Sequence, residues 1–354
     1  MTKPAVPDSS ARRFRFPLAG STPIPWSEDV EDWTDGDLQE TVDRAVRSRV
    51  PSGVPLADYL ARPTSFLTLD ADVSGFLRNL RQRATVVPLG LCYTLKVANH
   101  LQANDLEFDL ATLVFLGRLN ATARMMAEEF DRPVRMALAV EDELFNSIVF
   151  SYPAELQARR RNALQELTRL KERLGFSLVD LVPLGDLVTP QFAQTFADVV
   201  SGNAPYRHPE LDAKARSTMR ITFRLAYPTD DYLGAVSTYR SKTERRVIEA
   251  WARSTIGRYE AFFAARDADR FWDRLGSRYV RMTDSDRPGV LHVDFAMGRA
   301  SIPHGVCVVS PRSLSVEYFH DVVAGALRRG QVVRPIRAVG RIIAYRLVSL
   351  GAGG

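Results

Sequence analysis

The spacing of apolar positions changes along the chain and divides it into three parts. Residues 1–30 are rich in Pro and Ser and show no period, which predicts an extended N-terminal arm. Residues 31–65 carry short helical patterns that prolines interrupt, and these patterns predict a helical lead-in. In residues 66–354, apolar runs of strand length alternate with amphipathic helical patterns. The spacing therefore predicts an arm, a helical lead-in and one large α/β domain.

Three apolar runs in the first half of this domain predict strands that are buried on both faces. They occupy residues 84–96, residues 133–145, in which the apolar part ends at Val140, and residues 177–187. Amphipathic patterns over 109–130, with Asp109 as the predicted N-cap, and over 153–176 separate them. The order strand, helix, strand, helix, strand is typical of a parallel sheet with right-handed crossovers. Nearer the C-terminal end, further short runs are close enough together for hairpins, with one predicted helix over residues 313–330. The whole pattern predicts an α/β fold with a mixed sheet flanked by helices.

The composition is that of a globular protein, with 45% hydrophobic and 25% charged residues, which argues against global disorder. No run of eighteen apolar residues and no signal-like N-terminal segment occurs, so neither a membrane span nor a secretory signal is predicted. Cys92 and Cys307 are too few for a disulfide framework or a structural zinc site. These features predict a cytoplasmic protein.

Arginine dominates the basic residues, with 42 Arg against five Lys and a net charge of +5. One interpretation is the base composition of a GC-rich genome. The other is attraction for phosphate or carboxylate groups, because the planar guanidinium forms paired hydrogen bonds with them. The basic residues are interleaved with Glu and Asp, which disfavours nucleic acid as a partner.

Phosphate-binding loops of the known types are absent, which disfavours a nucleotide-binding loop. The first candidate for chemistry is Lys96. It ends the first apolar run, and Asn99 follows shortly after. In parallel sheets, ligands bind outside the carboxyl ends of the strands. A desolvated lysine has a lowered pKa and acts as a base or a carbonyl-binding amine, whereas a charged lysine binds an anion. A strand-end lysine that reaches solvent is the alternative.

Three acids, Glu141, Asp142 and Glu143, directly follow the second apolar run. Acidic oxygens at the carboxyl end of a strand bind a metal or an amine, and the alternative is a solvated acidic turn. Arg240 and Lys242 stand at the predicted start of a long helix. Exposed backbone N–H groups there favour an anion such as phosphate, and the alternative is an ordinary exposed helix start.

His292, Asp294 and His304 form the last candidate group. Residues two apart on a strand share a face, so His292 and Asp294 point the same way. With His304 they offer two histidines and one carboxylate, a set that binds iron in oxygenases. The short spacing to His304 suits a hairpin better than that arrangement. The alternatives are a structural histidine and a substrate-binding or acid/base role for His304.

The order of these segments resembles the isocyanide (isonitrile) synthase family, which is named for pyoverdine and dityrosine biosynthesis. The resemblance is colinear over about residues 85–310. The segments that carry it are LKVAN (Lys96, Asn99), FDLATLVFL (Asp109), VEDELF (Asp142, Phe145), YRSKTERR, YVRMTDSD (Arg281) and SIPHGVCVV (His304, Gly305). The chain departs from the family pattern at Thr112, Glu143, Ser285 and Pro303. These departures imply a divergent member with an altered pocket.

The resemblance implies a Rossmann-like enzyme without metal or other cofactor, which converts the amine of an amino acid to an isonitrile or a related imine-derived product. The added carbon comes from ribulose 5-phosphate, through an imine at its ketone and later carbon–carbon cleavage. The residues implied as catalytic are Lys96, His304 and Asp142, and those implied as substrate-binding are Asn99, Arg240, Lys242 and Arg281. The expected site lies where the strand end of Lys96 meets that of His304.

The predicted partners are therefore small molecules, an amino acid and a phosphosugar, with no membrane, nucleic acid disfavoured, and homodimer formation left open. Two alternatives remain from other classes. One is an iron-dependent oxygenase that acts on an amino acid through His292, Asp294 and His304. The other is a non-catalytic RNA-binding protein that uses its Arg-rich helices, for which nucleic-acid binding should depend steeply on salt.

Overall fold

The computed structural model describes residues 27–83, 87–93, 108–140, 154–203, 257–258, 260–270, 280–283, 291–294, 297–300, 302, 305–311 and 313–349. The strands are β1 (Glu31–Asp32), β2 (Leu67–Leu69), β3 (Val87–Tyr93), β4 (Val134–Val140), β5 (Val179–Pro183), β6 (Val280–Thr283), β7 (Leu291–Val293), β8 (Val306–Val309), β9 (Leu314–Glu317), β10 (Gln331–Ala338) and β11 (Arg341–Ser349). The α-helices with described bounds are α1 (Asp35–Arg47), α2 (Leu56–Leu60), α3 (Val73–Arg83), α4 (Leu110–Phe130), α5 (Ala154–Arg173), α6 (Pro190–Val200) and α7 (Phe319–Arg328). A 3-10 helix spans Leu184–Leu187, and residues 257–258 and 260–268 are also helical. None of the helices in the described ranges has the length and apolarity that a membrane crossing requires.

The larger sheet has six strands in the order β2-β7-β6-β3-β4-β5. Strands β3, β4, β5, β6 and β7 all run parallel to one another, and the edge strand β2 runs antiparallel to β7. In β4 every side chain except Arg135 is buried, as expected for a strand that is covered on both faces. The parallel arrangement that the alternation of strands and helices predicts is therefore confirmed for β3, β4 and β5.

The smaller sheet has five strands in the order β1-β10-β11-β8-β9. Strands β10 and β11 form a hairpin whose two turn residues, Val339 and Gly340, have φ values of 50° and 80°. Two positive φ values are characteristic of the type I′ turn, which matches the twist of the strands it joins. Strand β11 runs parallel to β8, and β8 runs antiparallel to β9. The predicted mixed α/β fold is confirmed, with its strands divided between two sheets.

The segment over residues 313–330, predicted to be one helix, begins as a strand. Residues Leu314–Glu317 form β9, and the helix α7 begins only at Phe319. Strand β9 pairs antiparallel with β8, and its Val316 is fully buried. A short run such as LSVE carries little helical or strand preference of its own, so pairing with β8 decides its conformation.

Helix α4 forms the centre of the main core, and fifteen of its residues are buried, including Phe115. Helix α1 packs closely on it at Gly117, where an added Cβ would lie 2.7 Å from Cγ2 of Val46 and 3.2 Å from Cζ of Phe176. Helices α1 and α2 thus belong to the same core as the sheets. The predicted boundaries at residues 30 and 65 stay predictions, and most of the predicted arm lies outside the described residues.

Candidate active site

The order of strands in the larger sheet singles out the position between β3 and β6. Strands β4 and β5 lie on one side of β3, whereas β6 and β7 lie on its other side. The direction of the connections therefore reverses beside β3, and ligands of open α/β sheets bind outside the carboxyl ends of the strands at such a reversal. These ends are at Tyr93 in β3 and at Thr283 in β6. The topology selects this edge as the candidate active site.

Most of the predicted site residues lie outside the described residues, namely Lys96, Asn99, Asp142, Arg240, Lys242 and His304. In the sequence, Lys96 follows the end of β3 and Asp142 follows the end of β4. The backbone of Arg281 is described, and it lies in β6 in register with Gly90 of β3. Arg281 is thus on the strand that borders the reversal. The roles of all seven residues stay predictions.

Asp109 connects the start of α4 to the smaller sheet. Its side chain is fully buried and caps the N-terminus of α4, because the N–H of Thr112 donates to its Oδ1 at 3.2 Å. The N–H of Cys307, in β8, donates to the other carboxylate oxygen, Oδ2, at 3.0 Å. One buried carboxylate therefore satisfies two backbone donors that are far apart in the sequence. The predicted N-cap is confirmed, whereas its bond to Cys307 was not predicted.

Thr112 stands where the resembled family has a second acid. Its hydroxyl accepts from the N–H of Asp109 at 3.4 Å, which completes a reciprocal capping box. A Glu or Gln usually supplies this reciprocal acceptor at the third helical position. The shorter threonine does so here at a fully buried helix start, so the substitution keeps the local cap.

Gly305, which follows His304 in the sequence, is packed too tightly for any side chain. An added Cβ would lie 2.5 Å from Cγ1 of Val316, 2.7 Å from Cβ of Ala300 and 2.8 Å from the carbonyl oxygen of Glu317. Gly298 makes a similar close approach, with its Cβ position 2.5 Å from the carbonyl oxygen of Val316. Glycine is therefore required in this part of the fold for space alone.

His292 and Asp294 lie at the carboxyl end of β7 and are half-buried. Nδ1 of His292 is 3.5 Å from Oγ1 of Thr68, its partner across the antiparallel pair with β2. The backbone N–H of Asp294 donates to the carbonyl of Phe66 at 2.9 Å. Within the described ranges, no three His, Cys, Asp or Glu side chains come together as a metal site. His304 lies outside those ranges, so the iron hypothesis stays an untested alternative.

A buried arginine that the sequence analysis missed lies beside Asp294. Arg118, in the middle of α4, is only 6% exposed, and its Nη2 donates to the carbonyl of Ala45 at 3.2 Å. Its guanidinium carbon is 5.9 Å from the centre of the Phe66 ring. Burial, and then the charge of Arg49, lower the pKa of Arg118 to about 10, whereas the charge of Asp294 raises it. The available signal was an arginine within an otherwise apolar stretch of α4.

We predict that Asp294→Asn lowers the free energy of unfolding by about 1 kcal/mol, because Arg118 loses a partly buried counter-charge. The backbone bond from residue 294 to Phe66 does not depend on the side chain and should persist. Urea unfolding of this variant, of Arg118→Met and of the double variant measures the coupling between the two charges. Additive effects would contradict the interaction.

Elemental analysis of the same proteins tests the iron alternative, which requires Asp294 as a ligand.

Comparison with known proteins shows a likeness in structure. No protein-family model and no curated protein matches the chain. Among solved structures, the fold is similar to the crystal structure of the PvcA protein from Pseudomonas aeruginosa. The TM-score is 0.51 at 14% sequence identity, and the match covers 88% of this chain and 99% of that one. At this identity the likeness establishes a shared fold over nearly the whole of the other protein.

Proposed function

We propose that this protein is an isocyanide-synthase-like enzyme of natural-product biosynthesis. The observation that carries the proposal is the colinear set of motifs over about residues 85–310, which resembles the isocyanide synthase family. The fold match to PvcA supports the proposal, because it extends over 88% of this chain. The motif order rests on residue identities, whereas the fold match rests on the arrangement of helices and strands.

The substrates in this proposal are an amino acid and ribulose 5-phosphate. The amine forms an imine with C2, the ketone carbon of the sugar, and water leaves. Both carbon–carbon bonds of C2 then break: C1 leaves as formaldehyde and its bonding electrons stay on C2, whereas C3–C5 leave as a three-carbon phosphate that keeps the C2–C3 electron pair. Such a reaction requires groups that bind phosphate and carboxylate, and a group that transfers protons near the imine. Arg240, Lys242 and Arg281 are proposed for anion binding, and His304 for proton transfer. The other residues proposed for the site follow the ends of β3 and β4 in the sequence.

Lys96 and Asp142 are proposed as further catalytic groups, and Asn99 is proposed to bind the sugar or the amino acid. Support comes from the parallel pairing of β3 and β4, in which Tyr93 and Val140 are register partners at the last positions. Lys96 and Asp142 therefore follow adjacent strand ends, beside the reversal of strand order. This is the edge at which the fold class binds its ligands.

The assignment of His304 to the same site is supported by the buried carboxylate of Asp109. Asp109 begins the helix that follows the connection containing Lys96, and it accepts the N–H of Cys307 at 3.0 Å. Cys307 belongs to β8, which His304 precedes by two residues in the sequence. The hydrogen bond thus joins the chain segment after Lys96 to the chain segment after His304.

The reaction is tested by incubating the purified protein with each proteinogenic amino acid and ribulose 5-phosphate labelled with ¹³C at C2. Trapping with a tetrazine and mass spectrometry are expected to show an isonitrile that carries the label, because C2 is the ketone carbon bound to nitrogen in the imine. If none of the amino acids gives a labelled adduct, the proposed reaction is wrong for these substrates, and the fold assignment is unaffected.

We expect Lys96→Met and His304→Ala each to lower kcat/KM for isonitrile formation by at least about 100-fold, the usual range for groups that transfer protons. His208→Ala is the matched control, since His208 lies outside the motifs and should leave turnover unchanged. Circular dichroism spectra that overlay with the parent protein establish that the variants are folded. Near-normal turnover in both Lys96→Met and His304→Ala would remove these residues from the mechanism.

A further inference from the structure

Arg341, the first residue of β11, contacts two other parts of the fold beside the start of α4. We propose that it is a positioning residue for the candidate active site, an inference that rests on the proposed function. Its side chain is only 10% exposed. It lies beyond the part of the chain that carries the family motifs, so the proposal comes from its contacts alone.

The guanidinium of Arg341 lies between an acid and an aromatic ring. Its Nη1 donates to Oε2 of Glu166, on α5, at 2.5 Å. Its guanidinium carbon is 4.1 Å from the centre of the Phe108 ring, and Phe108 is fully buried. A planar guanidinium can stack on a ring and pair with a carboxylate at once, which a lysine ammonium does less well. Arg341 therefore joins α5 to the residue that precedes the α4 cap.

The backbone of Arg341 is held by the hairpin of the smaller sheet. The two-residue turn at Val339 and Gly340 makes Arg341 the register partner of Ala338, directly at the tip of the hairpin. Beyond the tip, Ile343 and Ala344 are fully buried in the main core. A type I′ turn with two anchored strands leaves little freedom at its first strand position. The side chain is thus presented from a rigid base.

The consequence concerns the connection between β3 and α4, which carries Lys96 and Asn99. Phe108 and Asp109 are the described residues at its downstream end. Phe108 lies under the guanidinium of Arg341, and the Asp109 carboxylate accepts the N–H of Cys307. Two contacts from the smaller sheet therefore fix the end of this connection. In the proposal Arg341 touches no substrate and acts through Phe108.

The test compares Arg341→Met and Arg341→Lys with Arg337→Lys. Arg337 is the matched control because it belongs to the same hairpin, its side chain is 46% exposed, and its Nη1 lies 3.7 Å from Oδ1 of Asp32. The first measurement is amide hydrogen exchange at Thr112 and Cys307, whose backbone N–H groups donate to the Asp109 carboxylate. We expect exchange there to be roughly 10-fold faster in Arg341→Met, with Arg341→Lys intermediate.

The second measurement is isonitrile formation by the same variants. We expect kcat/KM to fall in Arg341→Met and to recover in part in Arg341→Lys, while Arg337→Lys matches the parent. Unchanged exchange at Thr112 and Cys307, or equal acceleration at the amides of β4, would overturn the positioning role. If Arg341→Met does not fold, Glu166→Gln provides the comparison, with a smaller expected effect because the guanidinium stays on the ring.

Exchange does not depend on turnover, and this separates the two hypotheses. A protein that forms no isonitrile with any amino acid overturns the proposed function. The exchange result still decides whether Arg341 fixes the junction at Phe108. Accelerated exchange with unaltered turnover would show a purely structural contact and would overturn the proposal.

Discussion

Replacing Gly305 with alanine is expected to lower the free energy of unfolding by about 3 kcal/mol, the upper part of the usual range for overpacking. The added methyl would lie 2.5 Å from Cγ1 of Val316 and 2.8 Å from the carbonyl oxygen of Glu317. The second contact is the more costly, since a backbone atom paired in the β8–β9 ladder moves only if the ladder distorts. The measurement is urea unfolding followed by circular dichroism.

Gly257→Ala is the matched control for this substitution. Gly257 is helical, and no atom of the described part of the chain lies within 4 Å of the position its Cβ would occupy. Alanine there is expected to be neutral or to stabilise the protein by up to about 1 kcal/mol, because glycine is a poor helix former. Equal unfolding midpoints for Gly305→Ala and Gly257→Ala would contradict the packing argument.

Asp109→Ala is expected to cost about 2–4 kcal/mol, because the variant loses a helix cap and leaves a buried N–H without an acceptor. The Asp109→Asn variant separates the loss of the helix cap from the loss of the acceptor for the Cys307 N–H. Its amide oxygen can still accept from Thr112, whereas its amide nitrogen cannot accept from Cys307. We therefore expect Asp109→Asn to lie between the alanine variant and the parent protein in urea unfolding.

Thr34→Ala is the control for the capping part of this effect. Thr34 caps α1 with the same reciprocal arrangement, accepting from the N–H of Asp37 at 3.2 Å, but it does so in an exposed position. Its loss is expected to cost about 1 kcal/mol, because water replaces the lost acceptor. A cost for Asp109→Ala no greater than that for Thr34→Ala would show that the bond to Cys307 contributes nothing.

The two substitutions affect the same region of the fold. Gly305 secures the close packing of the chain before β8, and Asp109 binds β8 to the start of α4. A loss of isonitrile formation in either variant is therefore informative only beside its unfolding curve. Lys96→Met and His304→Ala test the chemistry, whereas Gly305→Ala and Asp109→Ala test the packing and hydrogen bonding of the surrounding fold.

The sequence by itself determined the features that local spacing controls. The apolar runs located β3, β4 and β5 and their parallel order, because strands covered on both faces require continuous apolar residues. Asp109 was recognisable as an N-cap, since capping depends on a donor only three residues away. The candidate residues Lys96 and Asp142 also came from local position, at the ends of these runs.

Only the tertiary structure decided the features that depend on distant partners. Three features depend on contacts between segments that are far apart in the sequence and carry no local signal for one another. They are the division of the strands into two sheets, the strand conformation of β9, and the bond from Cys307 to Asp109. The same holds for Arg341, whose ring partner Phe108 lies more than two hundred residues away in the sequence. Pairing energy and burial arise when such segments meet, so spacing along the chain does not encode them.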